Sequence, residues 1–307
     1  MCTVDRKKSK RIYITCFIKN VMGIGNYRLK RILNEPEEVT NKILNDVTSK
    51  YKASVHTKIR VADVLEIRNS GLHDNEYKYA LMAHFDFLVT DKDHIPKFAV
   101  EFDGSQHKTD VSAIHRDELK NSICHKFDLP LLRITSAYFE KIGRFPTILS
   151  WITELYFLQE LFYDAQDKGQ IPRDEPWIWF SVVGYDPVVR YRVFIEKAYE
   201  KGLCCDPLIG FISGRSKDSK SYATLSILKL QDDKYIIDSV ECLAINYFAI
   251  RACEIATEIS VYNIYKKFKK YLEGNKINIF TRDEISKKQR DFIKQHKLCA
   301  YNIQLIE

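Results

Sequence analysis

Residues 84–107 read HFDFLVTDKDHIPKFAVEFDGSQH, and this stretch decides how the rest of the chain is placed. FDFLVT and KFAVEF are runs of aromatic and β-branched residues, the composition of paired strands. TDKDHIP between them carries the turn formers Asp91, Asp93 and Pro96. A turn centred between Asp93 and His94 sets Asp86 opposite Glu101 and His84 opposite Asp103. Side chains alternate along a strand, so Asp86, Glu101 and Asp103 share one face. Phe85, Phe87, Val89, Phe98, Val100 and Phe102 take the other. Carboxylates so gathered repel, and burial raises that penalty unless a cation compensates. A hard divalent ion such as Mg²⁺, which takes carboxylate oxygens and waters, suits the pattern.

The flanking segments extend the hairpin into an α/β unit. EPEEVTNKILNDVTSK (35–50) opens with a proline and two glutamates, a helix start, and Val39, Ile43 and Val47 form its expected apolar stripe. ASVHTKIRVADVLEI (53–67) alternates and then turns helical or loop-like, and 69–83 reads as a loop with a helical turn. TDVSAIHRDELKNSICHKF (109–127) is a helix with Ile114, Leu119, Ile123 and Phe127 inward. LPLLRI (129–134) is a buried strand. Strand, helix and strand in so few residues predict a parallel pair, 97–102 beside 129–134, with a right-handed crossover. FPTILSWITELYFLQELFYDA (145–165) is a long apolar helix.

The polar stretch QDKGQIPRDEP (166–176) separates this region from a C-terminal part of different texture. There WIWFSVV, PLIGFISG, SYATLSILKL and KYIIDSVEC read as strands, 242–273 as one long helix and 281–296 as another. The expected organisation is a basic segment over 1–34, a core over 35–165, a linker over 166–176 and an α+β accessory domain over 177–307. Within the first segment lie the basic cluster DRKKSKR (5–11), a strand-like run (12–18) and a Gly-Ile-Gly turn entering a helix (20–33).

The net charge of +7 suits a polyanionic partner. Lys266, Lys267 and Lys270, interleaved with Tyr265, Phe268 and Tyr271, are candidate nucleic-acid contacts; an amphipathic surface helix accounts for them as well. The eight cysteines include no CxxC pair, which argues against a zinc finger. No run of 18 apolar residues occurs and no signal-like segment opens the chain, so a cytoplasmic protein with free thiols and no membrane association is expected.

Taken in order, HFDFLV, FAVEFDGSQH, RDELKNSIC and LPLLRI resemble the PD-(D/E)xK, or restriction-endonuclease-like, nuclease superfamily, in a branch close to the very-short-patch-repair endonucleases. The resemblance covers roughly residues 35–150. It implies a mixed sheet flanked by helices, one or two Mg²⁺ ions (Mn²⁺ as substitute) and phosphodiester hydrolysis in DNA, in defence against foreign DNA or in repair. RNA, a homodimer and a partner protein remain open. By the same resemblance, Asp86 and Glu101 are the metal-binding acids, and Glu37 or Glu38 supplies the helix glutamate. The motif's lysine, two residues after the second acid, is replaced by Asp103. His107 and Lys120 are the candidate substitutes, and Arg116 is placed to meet the scissile phosphate. The missing lysine also leaves two alternatives: a nucleic-acid-binding module without catalysis, or an interaction subunit.

Overall fold

A computed structural model of the chain describes residues 30–103, 111–182, 184–243 and 248–303. His107, the basic cluster at 5–11, the strand-like run at 12–18 and the Gly-Ile-Gly turn lie outside the described residues. The chain divides into two compact units, Met1–Glu35 and Pro36–Glu307. Among the described residues of the second unit, two sheets form. The first has four strands in the order β1 (Ser54–Arg60), β2 (His84–Thr90), β3 (Pro96–Phe102) and β4 (Leu131–Ile134), and the second has five in the order β8 (Phe280–Thr281), β7 (Lys234–Leu243), β6 (Ser221–Lys229), β5 (Gly210–Ser216) and β9 (His296–Tyr301). The result is mixed α/β, with helices flanking a mixed sheet, as the sequence leads one to expect.

Helix α1, Glu35–Thr48, buries Glu37, Thr40, Leu44, Val47 and Thr48, a spacing of three and four that defines one face. This face is rotated by one position from the expected stripe: Val39 is 43% exposed. Leu44 and Val47 anchor the helix, and the rotation carries Glu37 inward while Glu38 stays exposed. Strand β1, Ser54–Arg60, then pairs antiparallel with β2, His84–Thr90. Its ladder is interrupted at Lys58, which has φ of +53°.

Between β1 and β2 the expected helical turn is present and extends further than one turn. A single turn, Val61–Val64, is followed by α2, Asp74–Met82. The Glu76 carboxylate caps α2 by accepting from the His73 N–H at 2.9 Å. It also accepts from Ser122 Oγ at 2.7 Å and Lys126 Nζ at 2.6 Å, both on the later helix α3, Val111–Lys126. These partners are 46 and 50 residues away, so they are not visible in the local pattern.

The hairpin has the expected register over Phe87–Val89, whereas Phe85 leaves the expected face and packs with Leu88 and Ala99. Phe87 faces Val100, Leu88 faces Ala99 and Val89 faces Phe98 across β2 and β3, Pro96–Phe102, before a one-residue shift sets Thr90 against Pro96. Asp91 organises the turn: its Oδ1 accepts from the N–H groups of Asp93 and Ile95 at 3.0 and 2.9 Å. Helix α3, Val111–Lys126, crosses over to β4, Leu131–Ile134, which lies parallel to β3. On α3 the deeply buried positions are Ala113, Lys120, Ile123 and Cys124. Ile114, Leu119 and Phe127, expected inward, are half-buried. Lys120 takes an inward position because an acid waits there.

Helix α4, Ile148–Asp167, is capped by Thr147 and buries Trp151, Ile152 and Leu155. Among the described residues, 177–182 do not form the expected strand. Trp177 donates to the Ala249 carbonyl at 2.8 Å and Trp179 stacks edge-on to Trp151 at 5.6 Å, so the aromatic rings dock on the core instead of pairing at a sheet edge. Helix α5, Val189–Glu200, has no counterpart in the sequence reading. Strands β5, Gly210–Ser216, β6, Ser221–Lys229, and β7, Lys234–Leu243, follow. Helix α6 spans Ala252–Leu272, starting ten residues later than 242 because 242 and 243 still belong to β7. Strand β8, Phe280–Thr281, helix α7, Arg282–Gln295, and an unanticipated strand β9, His296–Tyr301, complete the second sheet. One apolar cluster joins Leu44, Phe87, Phe98 and Trp151 to Leu228, Ile236 and Phe268, so the polar stretch 166–176 connects halves that share a core.

Among the described residues no helix is long and apolar enough to cross a membrane, and the described cysteines form no disulfide.

The Glu76 network generates a pH prediction. The hydrogen bond from Lys126 leads the partners that hold the Glu76 pKa at about 2, below its usual value of 4.5, against the opposing effect of burial. An acid with a depressed folded pKa stabilises fully above its unfolded value and loses that contribution as pH falls toward the folded one. Urea unfolding between pH 5 and pH 2 should therefore show stability dropping with pH. Glu76→Gln should flatten that slope; an unchanged slope in the variant would remove Glu76 from the account.

Candidate functional site

Three carboxylates from α1, β2 and β3 meet two ammonium groups from β1 and α3. Lys58 Nζ lies 2.7 Å from Glu37 Oε1 and 2.6 Å from Asp86 Oδ1. Lys120 Nζ lies 2.6 Å from Glu101 Oε2 and also donates to the His84 carbonyl at 2.9 Å. The two halves are joined through the strands: Asp86 Oδ2 accepts from the Phe102 N–H at 3.0 Å, and Glu101 Oε1 accepts from the Asp86 N–H at 3.3 Å. The continuous sequence of contacts is Glu37, Lys58, Asp86, Glu101, Lys120. Antiparallel pairing places Asp86 and Glu101 side by side, and the inward rotation of α1 brings Glu37 over the open edge of Lys58.

Depth varies across the cluster. Glu101 and Lys120 are buried, as is Glu37, whereas Asp86 and Lys58 are half-buried. Burial pushes the Glu101 carboxyl up to about 6; the attraction of Lys120 works against this and repulsion from Asp86 adds to it. For Lys58 burial disfavours the charged form, but hydrogen bonds to Asp86 and Glu37 outweigh it and hold the pKa above the ordinary lysine value. An open groove of about 560 Å³ runs beside Lys58, lined also by His56, Thr57, Ile59, Arg60, Asp63 and His84.

A second charged cluster adjoins the first. Arg133 of β4 is the Cα partner of Glu101 and is buried. Its Nη1 lies 2.9 Å from Asp103 Oδ1 and 3.2 Å from Asp117 Oδ1, and its Nε donates to Asn121 Oδ1 at 3.1 Å. Burial works against the guanidinium charge, while Asp103, Asp117 and Glu101 sustain it and raise its pKa. Asp103 is thus engaged by an arginine, beside the acid cluster.

The remaining candidates sit elsewhere. Arg116 is exposed on α3, one turn before Lys120, with its Nη1 3.3 Å from Ser112 Oγ. Lys266 lies 3.7 Å from Glu140 and 4.8 Å from the Tyr262 ring centre. Lys267 donates to Asp238 Oδ1 at 2.8 Å and to the Ile237 carbonyl at 2.7 Å. Lys267 and Lys270 line a second cavity of about 530 Å³ that shares no residue with the groove. Lys58 and Arg133 were not among the residues singled out from sequence. For Arg133 a signal existed, since an arginine inside an all-apolar strand must find partners. For Lys58 there was none, because alternation in VHTKIR does not say what lies opposite.

Among the described residues no three His, Cys, Asp or Glu side chains form a metal-binding group as they stand. The donor chemistry nevertheless fits a hard cation. Glu37 and Asp86 offer oxygens to one shared point, now held by Lys58 at 2.7 and 2.6 Å, and Glu101 lies beside Asp86. Mg²⁺ accepts oxygen donors at about 2.0–2.1 Å and needs only one or two carboxylates with waters. The arrangement is spaced for an ammonium and made of ligands that also suit Mg²⁺ or Mn²⁺.

Fold and site together define an α/β protein with a buried acid–lysine cluster at the centre of a mixed sheet. Residues 29–146, less than half of the chain but all five members of the cluster, match a family described as "Protein of unknown function (DUF2726)". No curated protein and no solved structure matches the chain.

Removing one partner of a buried pair leaves an uncompensated charge, at about 3–5 kcal/mol. Lys120→Ala should lower stability by about that amount in urea unfolding, and Glu101→Gln combined with Lys120→Met should lose less than the two single changes summed. A loss below about 1 kcal/mol for Lys120→Ala, the range of exposed pairs, would show that the pair is not isolated from water.

Proposed function

We propose that this protein is a metal-dependent endonuclease that hydrolyses phosphodiester bonds in DNA, within a restriction-endonuclease-like core. The observation that carries the reading is the convergence of Glu37, Asp86 and Glu101 with Lys58 and Lys120, of which Lys58 also lines an open groove. Asp86 and Glu101, with Glu37, would hold Mg²⁺ or Mn²⁺. The cation, when bound, supplies Lewis-acid polarisation of the phosphate and a better nucleophile from water at neutral pH. Lys120 fixes Glu101 and keeps positive charge at the floor of the site, where negative charge develops on the phosphate. Lys58 places a second positive charge at the groove. Arg116, exposed on the helix that carries Lys120, suits the strand's phosphates. His107 follows β3 in sequence and is retained as the candidate general acid or base. The net charge of +7 favours a polyanionic substrate.

A second reading, a nucleic-acid-binding module without catalysis, is favoured by one observation. Both lysines are already engaged by carboxylates, as in a purely structural ion-pair network.

The test is cleavage of supercoiled plasmid and of single-stranded DNA with Mg²⁺, Mn²⁺ or EDTA. Metal-dependent nicking is expected, reduced about a hundredfold or more in Asp86→Ala and in Glu101→Ala. Undiminished cleavage by Asp86→Ala would refute the reading. Salt-sensitive DNA binding without cleavage would favour the second.

A further inference from the structure

Lys58 differs from Lys120 in ways that bear on how the site works. Its backbone is in the left-handed region, φ +53°, inside a strand, where a residue with a Cβ is strained. This conformation interrupts the ladder between the pairs Thr57–Phe87 and Ile59–Phe85. Its ammonium bridges two carboxylates from two different elements. Its side chain is 32% exposed and borders the groove, whereas that of Lys120 is 9% exposed and also tied to a backbone carbonyl. Of the two lysines, Lys58 is the more exposed and the one that lines the groove.

The oxygens that bind Lys58 are those that a divalent cation would use. A cation on Glu37 and Asp86 would meet the Lys58 ammonium at contact distance, and like charges so close exclude one another. Resting on the reading of this site as a metal centre, we propose that Lys58 is a built-in counter-ion. It holds Glu37 and Asp86 together without the cation, is displaced into the groove when the cation binds, and there contacts a phosphate of the substrate strand. Binding of metal and of DNA is then coupled, and the coupling is reciprocal.

Competitive lysine labelling read by mass spectrometry, beside calorimetric Mn²⁺ titration, tests this on the full chain. In wild type, Lys58 should be labelled slowly in EDTA and several-fold faster with saturating Mn²⁺. Lys120 should remain slow in both and serves as the internal reference. A phosphorothioate oligodeoxynucleotide added with Mn²⁺ should protect Lys58 again. Lys58→Met should bind Mn²⁺ about tenfold more tightly, within the usual span of coupling between sites. Should Lys58→Met fail to fold, the labelling of wild type decides alone. If Mn²⁺ binds but Lys58 labelling does not change, or if Lys58→Met binds Mn²⁺ no more tightly, the counter-ion role is wrong while the metal centre stands. Unchanged labelling on adding DNA would overturn the phosphate contact. If Mn²⁺ binds neither protein, both the proposal and the nuclease reading fail.

Discussion

The first sheet depends on an electrostatic constraint: three carboxylates converge at its centre and two of them are buried. A buried carboxylate without a partner is costly enough to unfold a marginal protein or to take up a proton instead. Lys58 and Lys120 relieve this, leaving one net negative charge among five groups. The demand explains features that propensity does not. Helix α1 turns a glutamate inward where a valine was available, and α3 buries a lysine between apolar residues. Strand β1 gives up a ladder position at Lys58. Each concession brings a charge to the same point. The Glu76 network serves the same end at a distance, because it fixes α2 against the helix that delivers Lys120.

The parts legible in sequence were those with short-range causes. The hairpin register follows from alternation and turn chemistry, which bring Asp86 and Glu101 together as neighbours. The crossover to Leu131–Ile134 follows from strand, helix, strand spacing. Lys120 was singled out and lies on Glu101. What escaped the sequence was set by partners far along the chain. The choice of Glu37 over Glu38 depends on which face of α1 meets β1. Helix α2 depends on Ser122 and Lys126, and the placement of Trp177 and Trp179 depends on Ala249 and Trp151. Strand β9 pairs with β5 across some 80 residues of chain, a contact without a local signature.

Asp103 shows how charge is shared between neighbouring elements. Here the carboxylate sits on Arg133, one strand over, while cations for the acid site come from β1 and α3. Charge balance is kept, but the groups that supply it are redistributed among neighbouring elements.

The shared apolar core has a thermodynamic consequence. Because Leu44, Phe98 and Trp151 pack into the same cluster as Leu228, Ile236 and Phe268, neither half retains its buried surface alone. The two sheets therefore belong to one cooperative unit, in which loosening the second sheet weakens the first. A change far out on β7 or α6 is felt as stability at the carboxylates. Fragments divided near residue 170 would expose a large hydrophobic face and aggregate, whatever chemistry the first sheet holds.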